Sequence, residues 1–176
     1  MNSTKDNIAA AFLGLLEAKP IDKITVKDVV DVCGITRQTF YYHFEDIFDL
    51  LSYVVKIQED YLLQQTGTTS DLREGLRIFI SVFIENKKFF QNLMNSQNRE
   101  QAERILLSAA RSCLQKQATE KGLFSQLKYA DMETALTFYT YALFGVLYES
   151  CRKKEVNEDL LADQLCRLIQ GDMLSK

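Results

Sequence analysis

The sequence predicts an all-α fold, and three observations support this prediction. Only seven glycines and one proline occur in 176 residues, which is too few for the many turns of a hairpin-rich β protein. Apolar residues recur every three or four positions along most of the chain, the spacing of one face of a helix. An apolar share of 47% with 26% charged residues is ordinary for a globular protein.

The first predicted helix covers residues 4 to 18 and ends before Pro20, whose ring is incompatible with a helix interior. A short second helix is predicted to begin at Thr25. Thr25 and Asp28 have approximately the spacing of a capping box, in which each residue satisfies a backbone amide of the other. Gly34 then supplies the flexible residue that follows the helix.

Helices are predicted for the remainder of the chain as well. Thr36 is expected to cap a helix of about two turns that reaches His43. The next helix is expected to turn Ile57 and Tyr61 inward, and the polar stretch at residues 66 to 71 is the clearest loop. The later helical segments cover, in order, residues 47 to 65, 72 to 84, 89 to 94, 98 to 119, 131 to 152 and 157 to 174.

The segment at residues 131 to 152 is apolar nearly all round. A helix without a polar face has to be covered on every side. Because residues 157 to 174 add a further apolar stripe, we expect the two segments to contribute two helices from each chain to a homodimeric four-helix bundle. The alternative is a monomer that buries both helices internally.

The order of helix, glycine turn and short helix is typical of a helix-turn-helix, whose second helix enters the DNA major groove. Phe40 and Phe44, four residues apart, are expected to face the three-helix core. The polar and aromatic residues around them then face outward. The predicted DNA-binding residues are Thr25, Lys27, Thr36, Arg37, Gln38, Thr39, Tyr41, Tyr42 and His43.

Each outward side chain has a physically reasonable role on duplex DNA. Gln38 can pair with adenine, and Arg37 can reach a guanine or a phosphate. The hydroxyl groups of Thr36 and Tyr41 and an N–H of His43 can bind phosphates, while the ring of Tyr42 can lie against a thymine methyl group. The alternative is that Tyr41 and Tyr42 simply pack against the following helix.

An enzyme is not indicated. His43 is the only histidine, and no nucleophile motif or second histidine accompanies it. The four cysteines are scattered without a CxxC pair, so neither a zinc site nor a disulfide framework is predicted, and we expect buried thiols. No metal or cofactor is expected. The chain shows neither a membrane span nor a secretory leader, so a cytoplasmic protein without membrane partners is expected.

The block ITVKDVVDVCGITRQTFYYHFEDIFDLL resembles the N-terminal DNA-binding domain of TetR-family transcriptional regulators. The family hallmark is G-[VI]-[ST]-x-x-x-[FL]-Y-x-[HY]-F, and the segment from Gly34 to Phe44 matches it throughout. The resemblance covers roughly residues 5 to 55. The tail FYTYALFGVLYESCRKKEVNEDLLADQL resembles the C-terminal domain of the subgroup that contains the dihydroxyacetone-kinase operon regulators.

The resemblance implies a DNA-binding domain at residues 1–50 and a helical domain for effector binding and dimerisation at residues 51–176. It implies a regulator, by expectation a repressor, that binds a pseudo-palindromic operator as a homodimer and responds to a small molecule. The alternative is a TetR-like co-regulator or activator that a protein partner controls. Aromatic and apolar residues are the candidates for lining an effector pocket, although residues at helical spacing are more often core: Phe79, Phe83, Phe90, Met94 and Tyr139.

Two features depart from the family pattern. The family commonly has a lysine that meets a phosphate three residues after the final Phe of the motif, and here that residue is Ile47. Residues 1–50 also contain five basic and eight acidic side chains, which gives −3. Since DNA-binding domains gain affinity from cations that displace counterions, weak and salt-sensitive binding is expected unless the acidic groups face away.

Overall fold

A computed structural model describes residues 3–122 and 126–173 of the chain. Within these ranges the chain forms α-helices and one short 3-10 turn at Ile21–Lys23, and no strand, so the all-α prediction is confirmed. The helices are α1 (Thr4–Ala18), α2 (Val26–Cys33), α3 (Arg37–His43), α4 (Ile47–Thr66), α5 (Leu72–Glu85), α6 (Lys87–Met94), α7 (Arg99–Glu120), α8 (Tyr129–Cys151) and α9 (Glu158–Gln170).

The last helix is shorter than predicted. It ends at Gln170 because Gly171 adopts a left-handed backbone conformation with φ of 83°, which glycine accepts without the steric cost of a side chain. Leu174, the predicted last residue of this helix, lies outside the described residues. Asn157 caps the start of α9 as expected, accepting a hydrogen bond from the Leu160 amide at 3.0 Å.

The chain divides into two compact units. The first consists of Met1–Gln58 together with Lys88–Leu106. Its largest fully buried side chains come from α1, α2, α3, α4 and α6 and include Phe12, Phe40 and Leu50. The second unit consists of Glu59–Lys87 and Leu107–Lys176.

Two polar contacts attach α6 and the turn after it to the N-terminal helices of the first unit. The Asn92 side-chain amide donates to the carbonyl oxygen of Leu16 at 2.6 Å. The Asp22 carboxylate accepts hydrogen bonds from the Gln97 amide at 2.6 Å and from the Asn98 side chain at 2.9 Å. Residues 92–98 are therefore part of the structure that supports the helix-turn-helix.

In the second unit, ion pairs join helices that are distant in sequence. Arg73 of α5 donates to Asp163 of α9, and Arg111 of α7 donates to Glu133 of α8 at 2.6 Å. The pairing with Arg73 lowers the pKa of the Asp163 carboxyl, chiefly through the hydrogen bond. Helices α5 and α9 thus hold each other through charged groups as well as through apolar packing.

Glu59 is a buried acid in the second unit. Its side chain is 5% exposed, accepts a hydrogen bond from the Ser112 hydroxyl at 2.7 Å and lies 3.5 Å from the Lys116 ammonium. Buried charges require such partners, because transfer from water is costly. The contact fixes the second half of α4 to α7.

Several apolar side chains are less buried than the sequence predicts. Ile57 and Tyr61, expected to face inward, are 39% and 50% exposed, so that prediction is wrong for the single chain. On α8, Phe138 and Tyr141 are 66% and 60% exposed. The opposite side of α8 is buried, so the described residues of one chain leave an apolar face of this helix uncovered.

The cysteines follow the prediction in part. Cys113 and Cys151 are buried, whereas Cys33 and Cys166 are half-buried. Burial raises the pKa of the Cys151 thiol to about 11, which disfavours its reactive thiolate form. None of the helices in the described ranges is long and apolar enough to cross a membrane.

Candidate nucleic-acid interface

Local hydrogen bonds fix the start of α2 and the turn between α2 and α3. The Thr25 side chain accepts a bond from the Asp28 amide at 3.2 Å, and the Asp28 carboxylate accepts one from the Thr25 amide at 2.7 Å. The predicted capping box is thereby confirmed. Gly34 adopts φ of 66°, and the Ile35 amide donates back to Val30 at 3.1 Å, so the chain turns sharply into α3.

Helix α3 begins at a second cap and is anchored by two phenylalanines. The Thr36 hydroxyl oxygen accepts a hydrogen bond from the Thr39 amide at 3.1 Å, as predicted. Phe40 and Phe44 are buried, with exposures of 0% and 2%. Because these rings face the core, the other side of the short helix is turned outward.

Most of the predicted DNA-binding residues lie on this open side. Tyr42 is 84% and Tyr41 57% exposed, so the alternative of two tyrosines packed against the following helix does not hold. Thr39 and His43 are half-buried. The exposed members of the set are Thr25, Lys27, Thr36, Arg37, Gln38, Tyr41 and Tyr42.

Ring contacts within α3 orient its aromatic side chains. The centroids of Tyr42 and His43 are 5.0 Å apart in an edge-to-face arrangement. Tyr41 stands edge-on to Phe40 at 5.5 Å. These are preferred geometries for aromatic pairs, so the contacts restrain the rings of the two exposed tyrosines.

The acidic groups around α3 have structural roles that their number alone does not reveal. The Asp46 carboxylate accepts from the amides of Phe48 at 2.7 Å and Asp49 at 2.8 Å, and Asp49 accepts from the Glu45 amide at 3.0 Å. The free amides at the start of α4 are thus partly occupied by the protein's own carboxylates. With Ile47 in the same turn, this end of α4 carries negative rather than positive charge.

Asp28 is held in its ionised form. Hydrogen bonds from the Thr25 amide and hydroxyl, followed by the Lys19 ammonium at 3.2 Å, lower its pKa to about 2. Asp6 is similarly occupied by the Ser3 amide and the Tyr53 hydroxyl, and these bonds lower its pKa. Some of the acidic side chains in the first 50 residues therefore serve as helix caps or as hydrogen-bond partners between helices.

Sequence reasoning missed two polar contacts of this unit. The Ser3–Asp6 capping box has a recognisable three-residue spacing and could have been predicted. The contact of Asp22 with Gln97 and Asn98 joins residues 75 and 76 positions apart, and no local pattern signals it.

The predicted effector-pocket residues are divided between the two units. Phe79, Phe83 and Tyr139 belong to the second unit, and Phe90 and Met94 to the first. Phe83 packs against Phe79 at 6.2 Å and against Phe144 at 6.4 Å between ring centroids. Their role in binding an effector stays a prediction. Within the described residues no group of histidine, cysteine, aspartate and glutamate side chains is arranged to hold a metal ion.

Comparisons with known proteins agree with this geometry. Residues 8–54 match the profile of the bacterial regulatory proteins, tetR family, and residues 70–171, more than half of the chain, match that of a transcriptional regulator C-terminal region. The HTH-type dhaKLM operon transcriptional activator DhaS of Lactococcus lactis subsp. lactis (strain IL1403) is 28% identical over 90 residues. The match covers 51% of this chain and 48% of DhaS, so the chain spans about half the length of this curated relative.

Solved structures share the fold. The dihydroxyacetone kinase operon activator DhaS superposes with a TM-score of 0.69 at 22% identity, with 96% of this chain and 95% of that chain covered. The TetR family repressor AlkX from Dietzia sp. strain DQ12-45-1b superposes with a TM-score of 0.63 at 15% identity, with coverages of 95% and 93%. With both profiles matched, the chain belongs to the tetR family and is a transcriptional regulator, not an enzyme.

Proposed function

We propose that this regulator binds a pseudo-palindromic operator as a homodimer and represses transcription until a small molecule occupies its C-terminal helices. The observation that carries the proposal is the outward face of α3, which is capped by Thr36, anchored by Phe40 and open at Tyr42. Residues 1–50 are proposed as the DNA-binding domain and residues 51–176 as the dimerisation and effector domain.

The roles of the DNA-facing residues follow from their chemistry. Gln38 and Arg37, both exposed in the first turn of α3, are suited to base edges, adenine and guanine respectively. Thr25, Lys27 and Thr36 belong to α2 and the turn, where hydroxyl and ammonium groups suit phosphates. Thr39, Tyr41, Tyr42 and His43 complete the proposed surface. Base contacts would then provide specificity and phosphate contacts the orientation.

The proposed dimer uses the open face of α8. Phe138, Tyr141, Ala142 and Gly145 are exposed and spaced to share one side of the helix. A side-chain carbon added at Gly145 meets no atom within 4 Å, so no contact among the described residues of one chain explains the small residue there. An exposed apolar stripe with small residues favours close packing against a second helix.

Helix α9 extends the same proposal. Leu160 and Leu168 are 51% and 42% exposed, although the other side of α9 packs on α5. Two helices from each chain would form a four-helix bundle related by a two-fold axis. To read successive major grooves on one side of DNA, the two α3 helices of such a dimer must lie about 34 Å apart.

A second candidate is an activator or co-regulator that a protein partner controls. The observation that favours it is the likeness to DhaS, a protein described as an activator of the dhaKLM operon. The same α3 surface and dimer would serve either direction of control. A ligand or partner would act through a difference in its affinity for the two conformations of the regulator.

The DNA-binding proposal is tested by fluorescence anisotropy with the duplex upstream of the protein's own gene. Arg37→Ala and Tyr42→Ala are expected to weaken the complex by roughly tenfold or more, since a base contact is worth about 1–3 kcal/mol. Tyr61→Ala removes an exposed aromatic side chain of α4 outside the proposed surface and should have no effect. Absence of a specific wild-type complex at low salt would overturn the proposal.

The direction of control and the effector need separate measurements. A promoter fusion should give lower transcription with the protein than without it for a repressor, and higher transcription for an activator. A small molecule that raises the melting temperature and releases DNA supports the ligand-controlled form. DNA release that occurs only with a purified partner protein supports the second candidate.

A further inference from the structure

Lys5 lies at the point where the proposed recognition helix ends. It is the second residue of α1, and its ammonium nitrogen lies 5.3 Å from the ring centroid of Phe44 and 5.2 Å from that of Tyr53. Phe44 is the residue that ends α3, and Tyr53 belongs to the second turn of α4. A cation from the N-terminus is therefore held beside the junction of α3 and α4.

The two rings are themselves fixed. Phe44 is 2% exposed, and its centroid is 5.4 Å from that of Tyr53. The Tyr53 hydroxyl donates to the Asp6 carboxylate at 3.0 Å, and Asp6 also accepts from the Ser3 amide. An ammonium group over ring faces of this kind is attracted by their negative electrostatic potential, so Lys5 is restrained without a direct carboxylate partner in the described contacts.

The groups that contact a lysine decide whether its positive charge is neutralised. Lys19, another lysine of the first 50 residues, lies 3.2 Å from Asp28 and is paired with it. Phe44 and Tyr53 are neutral, so they position the Lys5 ammonium but leave its charge available. In a segment whose formal charge is −3, a positioned and unneutralised cation at the edge of α3 is well suited to a DNA phosphate.

We propose that Lys5 is a phosphate-contacting residue for DNA, positioned at the C-terminal end of α3 by the rings of Phe44 and Tyr53. The contact would provide positive charge on the side of α3 where the start of α4 carries Asp46 and Asp49. The Lys5 contact would help to position the DNA backbone and would not recognise a base. This inference rests on the proposed DNA-binding function.

The test is the salt dependence of DNA binding by Lys5→Gln, Lys5→Arg and the control Lys23→Gln. Lys23 is an exposed lysine of the same unit to which no DNA contact is assigned. For Lys5→Gln the slope of log K against log salt should become smaller by about 2, because the proposed dimer loses one phosphate contact from each chain and each contact contributes about 0.9. Affinity should fall by the same factor for the upstream duplex and for an unrelated duplex, and Lys5→Arg should retain the wild-type slope.

Other results would overturn the inference. An unchanged slope in Lys5→Gln, or an equal change in Lys23→Gln, means that Lys5 makes no specific phosphate contact. Loss of affinity for the upstream duplex alone would assign Lys5 to base recognition instead. Thermal melting of each variant establishes that it is folded. If the wild-type protein binds neither duplex, the proposed function and this inference both fail, whereas a wild-type complex with an unaltered Lys5→Gln slope refutes the inference alone.

Discussion

The dimer proposal makes a sharp prediction for Phe138→Asp. Phe138 is 66% exposed in the single chain, and an aromatic residue that buries roughly 200 Å² in full would have about 130 Å² left for a partner to cover. At about 25 cal/mol per Å² this area is worth about 3 kcal/mol for each copy. A two-fold interface contains the residue twice, so the dissociation constant should rise by about four orders of magnitude.

The assay is sedimentation velocity over a concentration series, with Tyr129→Asp as the matched control. Tyr129 is 74% exposed on the same helix but precedes Phe138 by nine residues, which at about 100° per residue places it half a turn away. Phe138→Asp should be a folded monomer and Tyr129→Asp a dimer. A Phe138→Asp protein that dimerises like the wild type would refute the assignment of α8 to the interface.

Three further predictions concern the first unit. Thr36→Ala removes the acceptor of the Thr39 amide and should lower the free energy of unfolding by about 1 kcal/mol in a urea titration; an unchanged midpoint would exclude a stabilising cap. Because the Asp28 pKa of about 2 lies below its ordinary value of 3.8, its contribution to stability is complete above about pH 4 and is lost as the pH falls toward 2, so urea midpoints measured across this range should fall less in Asp28→Asn than in the wild type. Asp46→Asn keeps an oxygen for the amides of α4 but removes a charge beside α3, so DNA anisotropy should show binding tightened roughly threefold at low salt; unchanged binding would place this turn away from the phosphates.

Local sequence signals predicted most of the secondary structure because caps and glycines act over a few residues. Thr25 with Asp28, Gly34 and Thr36 predict where α2 begins and ends and where α3 begins, and the structure confirms each of these limits. The predicted end of α9 is too late because the apolar spacing continues to residue 174, whereas the left-handed Gly171 ends the helix. Helix periodicity also turned Tyr61 inward, whereas the folded chain leaves it half exposed.

The candidate site was predictable only in its local part. Phe40 and Phe44 are four residues apart and therefore share the buried side of α3. Arg37, Gln38 and Tyr42 consequently face outward. The placement of Lys5 over Phe44 depends on how α1 packs against the end of α3, and such long-range contacts leave no mark in a single sequence. For the same reason the acidic composition predicts weak DNA binding without revealing that Asp22 and Asp6 accept hydrogen bonds from groups distant in the sequence.

The central claim, that a dimer presents two copies of α3 to DNA, is tested most directly by hydroxyl-radical footprinting of the upstream duplex together with the mass of the complex. We expect two protected half-sites whose centres lie about 34 Å apart along the helix axis, with two chains on each duplex. Protection at both half-sites should disappear together in Tyr42→Ala. A single protected half-site with one chain bound, or a footprint that Tyr42→Ala leaves intact, would contradict it.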